Sequence, residues 1–299
     1  MSGEDQDSRS PGQSRRGNHV SVFRRGQVLP PETVMLDQRT GREIFLNDAS
    51  FATPNPARIW ESLNEIAPDP YRLTRNGLFT NAEQHPAAKS FDILRSRVLQ
   101  GMAKQGWTRL AVTSPGPGCG KSFVAANLAL SMGRLPSCRT VLLDLDLRAP
   151  GLAHLFDQRD AAPLLEFLMG EQPLESQFRR LGRNLVLGLN GAPVPLAAEA
   201  LHDPAFAEAM TALREMLEPD VVICDVAPTL TSDEVIALSG QMDAVLLVTD
   251  GTRTSPEEIT ECERLFEGRL PLLGVVLNRA QDRKPARHGA ARLFPGRRG

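Results

Sequence analysis

The chain reads as an α/β protein built on a mostly parallel, twisted sheet with helices on both faces. Three observations predict this. Short aliphatic, β-branched runs alternate with longer helix-compatible segments, the pattern of parallel strands joined by crossover helices. Hydrophobic residues fill 41% of the 299 positions and aromatics only 5%, an aliphatic profile suited to strands buried on both faces. One strand, Leu110–Thr113, runs directly into a glycine-dense turn and then a helix.

Taken in order, residues 1–28 are rich in Ser, Gly, Arg and Asp and are expected to be a disordered tail. Residues 29–84 form an extension expected to be partly ordered. In it, Thr33-Val-Met-Leu and Glu43-Ile-Phe-Leu flank a Gln-Arg-Thr-Gly turn, which predicts a β-hairpin over 33–46. Residues 47–84 mix prolines with short apolar pieces around Trp60 and Tyr71, and packing on the main domain is the simpler expectation for them than docking to a partner.

The domain proper is expected over 85–281. Its predicted strands are Leu110–Thr113, Thr140–Leu143, Leu185–Leu187, Val221–Cys224, Ala244–Thr249 and Leu272–Leu277. Each is a short apolar run bounded by turn or polar residues. Helical spacing predicts Ser122–Met132, Ala162–Leu168, Asp203–Leu217 and Pro256–Glu267 between them. From 282 to 299 the Arg/Gly/Pro composition predicts a basic, flexible tail. Gly289, Pro295 and Gly296 interrupt any amphipathic membrane helix there.

The chemistry concentrates at Ser114-Pro-Gly-Pro-Gly-Cys-Gly-Lys-Ser122. Successive backbone N–H groups of such a loop wrap phosphate oxygens, and the helix N-terminus adds partial positive charge. Gly116, Pro117, Gly118, Cys119, Gly120, Lys121, Ser122 and Phe123 are the candidate nucleotide-binding residues. Lys121 is placed to reach the β- and γ-phosphates and the Ser122 hydroxyl to sit on Mg²⁺. The strict pattern asks for glycine at 115, where Pro115 stands; it removes only one donor at the loop's entrance. The bland alternative is a Gly/Pro turn with a surface lysine.

Two further strands end in acids. Thr140–Leu143 leads into Asp144-Leu-Asp146-Leu-Arg148, and Val221–Cys224 into Asp225-Val-Ala-Pro228. Alternation with period two puts Asp144 and Asp146 on one side of an extended chain. Ligands of open parallel sheets lie beyond the carboxyl ends of the strands, so all three carboxylates are expected to converge on residues 114–122. Taken singly, each aspartate reads equally as a cap or turn residue.

With these residues in view, the chain resembles the deviant-Walker P-loop ATPases, and among them the bacterial tyrosine kinases of capsule and exopolysaccharide synthesis. The resemblance is carried by 114–122, by Val141-Leu-Leu-Asp-Leu-Asp-Leu-Arg148, by Val221-Val-Ile-Cys-Asp-Val-Ala-Pro228 and, more weakly, by Gly274-Val-Val-Leu-Asn278. It implies ATP and Mg²⁺ as cofactors. It implies phosphate contact by Lys121 and direct metal ligation by Ser122. It implies further that Asp144 and Asp225 act on the metal, and that Asp146 orients or deprotonates the attacking group. It implies that Asn278 and its neighbour Arg279 lie near the base, and that Arg148 steadies transferred charge or a neighbouring subunit. Gln281 stands where guanine-specific relatives carry an aspartate, which favours adenine. The implied partners are a membrane-embedded polysaccharide chain-length or co-polymerase protein and further copies of this chain.

The departures are informative. Such kinases usually end in a cluster of tyrosines, whereas this chain has a single tyrosine, Tyr71, far upstream. Autophosphorylation of a C-terminal cluster is therefore impossible here; the acceptor is another protein or Tyr71, or the domain only hydrolyses ATP. The stretch Lys89-Ser-Phe-Asp92-Ile-Leu-Arg95 keeps only the last charge of the motif that closes the family's ring. Its apolar stripe, Phe91, Leu94 and Val98, reads more simply as core. Gly116 replaces the signature lysine of ParA- and MinD-type positioning ATPases, an alternative reading, as is a non-catalytic nucleotide-binding regulator.

A net charge of −2 exerts no global pull on nucleic acid, and no nucleic-acid partner is expected. Without a signal peptide or an apolar run long enough to span a bilayer, the expected location is the cytoplasm, at the inner face of the membrane through a partner. Cys119, Cys138, Cys224 and Cys262 lack metal-ligand spacing, and Cys119 in the loop is the one flagged for oxidation.

Overall fold

The computed structural model describes residues 55–80 and 85–280, together with the strands 34–36 and 43–45. The two tails expected to be disordered lie outside the described residues. Strands β1 (Val34–Leu36) and β2 (Glu43–Phe45) pair antiparallel, with Met35 opposite Ile44.

The remainder is organised on a seven-stranded sheet. Its strands are β3 (Arg109–Thr113), β4 (Thr140–Leu145), β5 (Arg179–Leu181), β6 (Leu185–Gly188), β7 (Val221–Val226), β8 (Ala244–Asp250) and β9 (Leu272–Asn278), in spatial order β5-β6-β4-β7-β3-β8-β9. Every pairing is parallel except that of β5 with β6. All residues of β4, β6, β7 and β8 are buried. Successive side chains point to opposite faces, so both faces of the central sheet are covered.

The helices that follow the strands are short or long according to their sequence. The long ones are α3 (Pro86–Gln105), α4 (Lys121–Gly133), α9 (Pro204–Leu217) and α11 (Pro256–Phe266). Good caps start several of them: the Asp203 carboxylate accepts from Ala205 N–H, and Ser255 with Glu258 forms a capping box. The short ones are α1 (Pro56–Ser62), α2 (Pro70–Arg75), α5 (Leu152–Leu155), α6 (Leu165–Leu168), α7 (Leu174–Gln177), α8 (Ala197–His202) and α10 (Glu234–Ala237). The helix expected over Ala162–Leu168 shrinks to α6, because the Ala162 carbonyl, which an earlier start would spend on a helical N–H, accepts instead from Gly191 N–H at 3.2 Å and Gln177 Nε2 at 3.0 Å.

Helix α4 is buried nearly all round, with Ala125, Ala126 and Ala129 allowing close approach to the sheet. The stripe Phe91, Leu94 and Val98 of α3 packs into the same core, which leaves it a structural role. Residues 55–80 pack on the domain through α1 and α2. Trp60 is 3% exposed, donates from Nε1 to the Leu217 carbonyl at 2.6 Å, and lies under the Arg139 guanidinium. Trp60→Ala is therefore expected to lower stability by about 3–5 kcal/mol, read as a fall in the urea midpoint at unchanged slope.

Candidate functional site

The topology brings the ends of β4, β7 and β3 side by side. Asp144 and Asp225 are register partners, and Val112 is the partner of Asp225 on the other side. The loop after β3 is anchored at its entrance: Thr229 and Leu230 donate their N–H groups to the Ser114 and Pro115 carbonyls at 2.8 and 3.0 Å. Gly118 and Gly120 take φ values of +79° and +94°, which L side chains rarely adopt. Helix α4 starts at Lys121 with no side-chain cap and no acid in its first turn. Its first N–H groups therefore stay available for an anion.

A cavity of about 690 Å³ opens over this helix end. Pro117, Gly118, Gly120, Lys121, Ser122, Phe123, Asp146 and Arg279 line it, among residues named in advance. At its floor the Lys121 Nζ lies 2.6 Å from Asp146 Oδ2 and 3.2 Å from Asp225 Oδ1. Asp144, fully buried, accepts from Leu152 N–H at 2.9 Å. Burial opposes the Lys121 ammonium, but Asp225, Asp146 and Asp144 outweigh it and raise its pKa. Burial, with the neighbouring Asp225 charge, pushes the Asp144 carboxyl up. Burial also raises Asp225, against the pull of Lys121 and Ser122.

Three buried carboxylates thus share one ammonium, and Asp144 Oδ1 and Asp225 Oδ2 have no hydrogen-bond partner. Hard oxygen donors with spare lone pairs beside the Ser122 hydroxyl suit Mg²⁺, which keeps most of its waters and needs only one or two carboxylates. The residues present fit that ion.

Gly116, Cys119 and Asn278 lie behind the loop rather than in the cavity, whereas Arg279 both braces the loop and lines the cavity. Gly116 turns its carbonyl to the Ser114 hydroxyl at 2.8 Å. The Cys119 thiol is buried 3.8 Å from Thr254 Oγ1, so the residue flagged for oxidation faces away from solvent. Asn278 donates from Nδ2 to the Cys119 carbonyl at 2.8 Å, bracing the loop from outside. Arg279, at φ +53°, donates to the Gly118 carbonyl at 3.0 Å and to Asp250 Oδ2 at 2.6 Å.

Asp250 was not singled out from the sequence, although an acid ending a buried strand is the signal that flagged Asp144 and Asp225. Hydrogen bonds from Thr252, and then from Arg279, hold its carboxyl down to about 2. A depressed pKa stabilises the fold above the ordinary aspartate value, and that stability is lost as pH falls towards 2. Asp250→Asn is therefore expected to flatten the acid-side loss of stability between about pH 4 and pH 2, measured by urea unfolding at stepped pH. Arg148, on the cavity wall, and the buried Glu234 form a second unanticipated pair, at 2.6 Å.

Comparison with known proteins agrees with this geometry. The family model for ParA, described as the NUBPL iron-transfer P-loop NTPase, matches residues 107–299. EpsB of Ralstonia nicotianae is 32% identical over 210 residues, 68% of this chain but 27% of EpsB. The chain thus spans about a quarter of that relative. The tyrosine-protein kinase YwqD of Bacillus subtilis is 24% identical over 220 residues, covering 73% of this chain and 92% of YwqD. Among solved structures, the kinase domain of VpsO superposes with a TM-score of 0.58 at 26% identity, covering 67% of this chain and 98% of that domain.

Proposed function

The chain belongs to the ParA family of P-loop NTPases, and from that premise we propose that it binds ATP with Mg²⁺ and transfers or hydrolyses the γ-phosphate. Its likeness to tyrosine kinases points to a regulatory role in exopolysaccharide polymerisation or export, at the cytoplasmic face of the membrane and with a membrane-embedded chain-length partner. The observation that carries the reading is the Lys121 ammonium held between Asp146 and Asp225 at the mouth of α4. Among the described residues no helix is long and apolar enough to cross a membrane.

The chain's own residues divide the work. The backbone N–H groups of 118–122 and the end of α4 hold the phosphates. Lys121 leaves its acids for the β- and γ-phosphate oxygens, which frees Asp146 to take a proton from the attacking hydroxyl or water. Ser122, Asp225 and Asp144 would hold Mg²⁺, which supplies charge neutralisation on the phosphates when bound. Arg279 and Asn278 keep the loop's carbonyls turned away from the anion.

The test uses the full chain with ATP labelled at the γ-phosphate, with and without a candidate membrane partner. Label on tyrosine supports kinase action, and free phosphate alone supports a hydrolytic switch. Neither product, with or without the partner, overturns the reading. Tyr71, 74% exposed, is the only acceptor tyrosine the chain itself offers, so Tyr71→Phe separates self-labelling from transfer to a partner.

A further inference from the structure

Glu234 sits at the start of α10 with its side chain wholly buried, beneath the wall formed by Thr231, Ser232 and Arg148. Among the described residues its only cation within 4 Å is Arg148, whose Nε donates to Oε1 at 2.6 Å. The other oxygen, Oε2, has no partner. A buried carboxylate with one satisfied oxygen is costly, and a buried ion pair of this kind is often no better for stability than an apolar pair. The pair therefore calls for a reason other than fold stability.

The geometry supplies one. Arg148 follows Asp146 on the loop leaving β4, and its head is half exposed in the cavity wall. Engaging the guanidinium through Nε fixes its plane while leaving both terminal nitrogens, with four N–H donors between them, unspent on Glu234. Among the described residues the one other carboxylate within 4 Å of Arg148 is Asp233, 70% exposed and 4.0 Å from Nη2, too far and too wet to hold it. Asp146 is itself engaged by Lys121 and by the Ala149 N–H at 3.1 Å. Arg148 is thus held from behind by a rigid acid and open in front.

We propose that Glu234 is a positioning residue that orients the Arg148 guanidinium toward the transferring phosphoryl group, a role that rests on the phosphoryl-transfer reading above. Glu234 touches neither nucleotide nor metal; it acts through Arg148. It also ties the loop after β4, which carries Asp146, to the segment that follows β7, the strand that carries Asp225.

The experiment compares Glu234→Ala, Glu234→Gln, Arg148→Ala and the double variant in the full chain, with Mg-ATP as substrate and phosphate release as readout. Glu234→Ala is expected to lower kcat about 10- to 100-fold, the usual effect of losing an outer partner of an active-site group, with KM for ATP within about two-fold. Glu234→Gln, which keeps an Oε1 acceptor of the same shape, is expected to retain more activity than Glu234→Ala. The double variant is expected to match Arg148→Ala, because a residue acting only through another adds no further loss. Rates are taken per folded molecule, and Glu234→Gln carries the test if Glu234→Ala does not fold.

Unchanged kcat in the folded Glu234 variants overturns the proposal, as does a double variant whose loss is the product of the two single losses. Wild-type protein that releases no phosphate and labels no tyrosine, with or without a membrane partner, removes the phosphoryl-transfer reading and this proposal with it. Wild-type turnover with Glu234 variants at full rate removes this proposal alone.

Discussion

Lys121→Ala is expected to reduce ATP turnover by at least about 10²–10³-fold, the loss typical of removing one preorganised donor from a transition-state charge. It is also expected to cost about 3–5 kcal/mol of stability. The second effect follows from the apo arrangement. Lys121 is the cation that faces Asp225 and Asp146, both almost fully buried, and Asp144 lies in the same field. Without it, three carboxylates are left beside one another in a dry pocket. Phosphate release reads the first effect, and urea unfolding in the presence of a chelator reads the second. A variant as stable as the wild type would mean that the acids already share protons and do not depend on the ammonium. Lys121→Arg is expected to fail as well, since a planar fork cannot replace a compact charge seated between two carboxylates.

The second large effect is expected at Gly120. A Cβ there would lie 2.3 Å from the Asn278 amide nitrogen, on a backbone at φ +94°. Gly120→Ala must therefore carry left-handed strain of about 1–2 kcal/mol and also displace the amide that holds the Cys119 carbonyl. The loop loses its outer brace where its amides need to be aimed, and a misplacement of about 1 Å at such a site costs on the order of 100-fold in rate. Gly118 provides the control. It has φ +79° but open space around its missing side chain, so Gly118→Ala is expected to show strain alone, with a smaller loss of turnover. Equal losses in the two variants would remove Asn278 from the account of the loop.

The strand, loop and helix around residues 109–133 were legible in advance because their signals are local. Aliphatic β-branched residues, then glycines of which Gly118 and Gly120 take positive φ, then an uncapped helix beginning Lys-Ser, all lie within one continuous stretch. The acids were legible for a related reason. Each ends a buried strand, and a parallel sheet puts all such ends on one edge. Core placement of Phe91, Leu94 and Val98 followed from helical spacing in the same way.

Other features had no local signal. Strand β5 carries two arginines in three residues, which hides it among turns; it is a strand only because β6 offers it an edge. The four-residue helices are too short to show a period. Trp60 is buried by Leu217 and Arg139, both distant in sequence. Arg279 and Asp250 are 29 residues apart, and Arg148 and Glu234 are 86 apart. No spacing rule reaches that far.

By itself, then, the order of residues determined the sheet class, the loop that presents its amides to an anion, and the identity of the acids around it. Those depend on backbone preferences and side-chain periodicity, which act over a few residues. Which side chains hold the loop and Arg148 in place was decided only when the strands took their spatial order. A hydrogen bond between elements has no counterpart along the chain, and it forms only where packing brings donor and acceptor within about 3 Å.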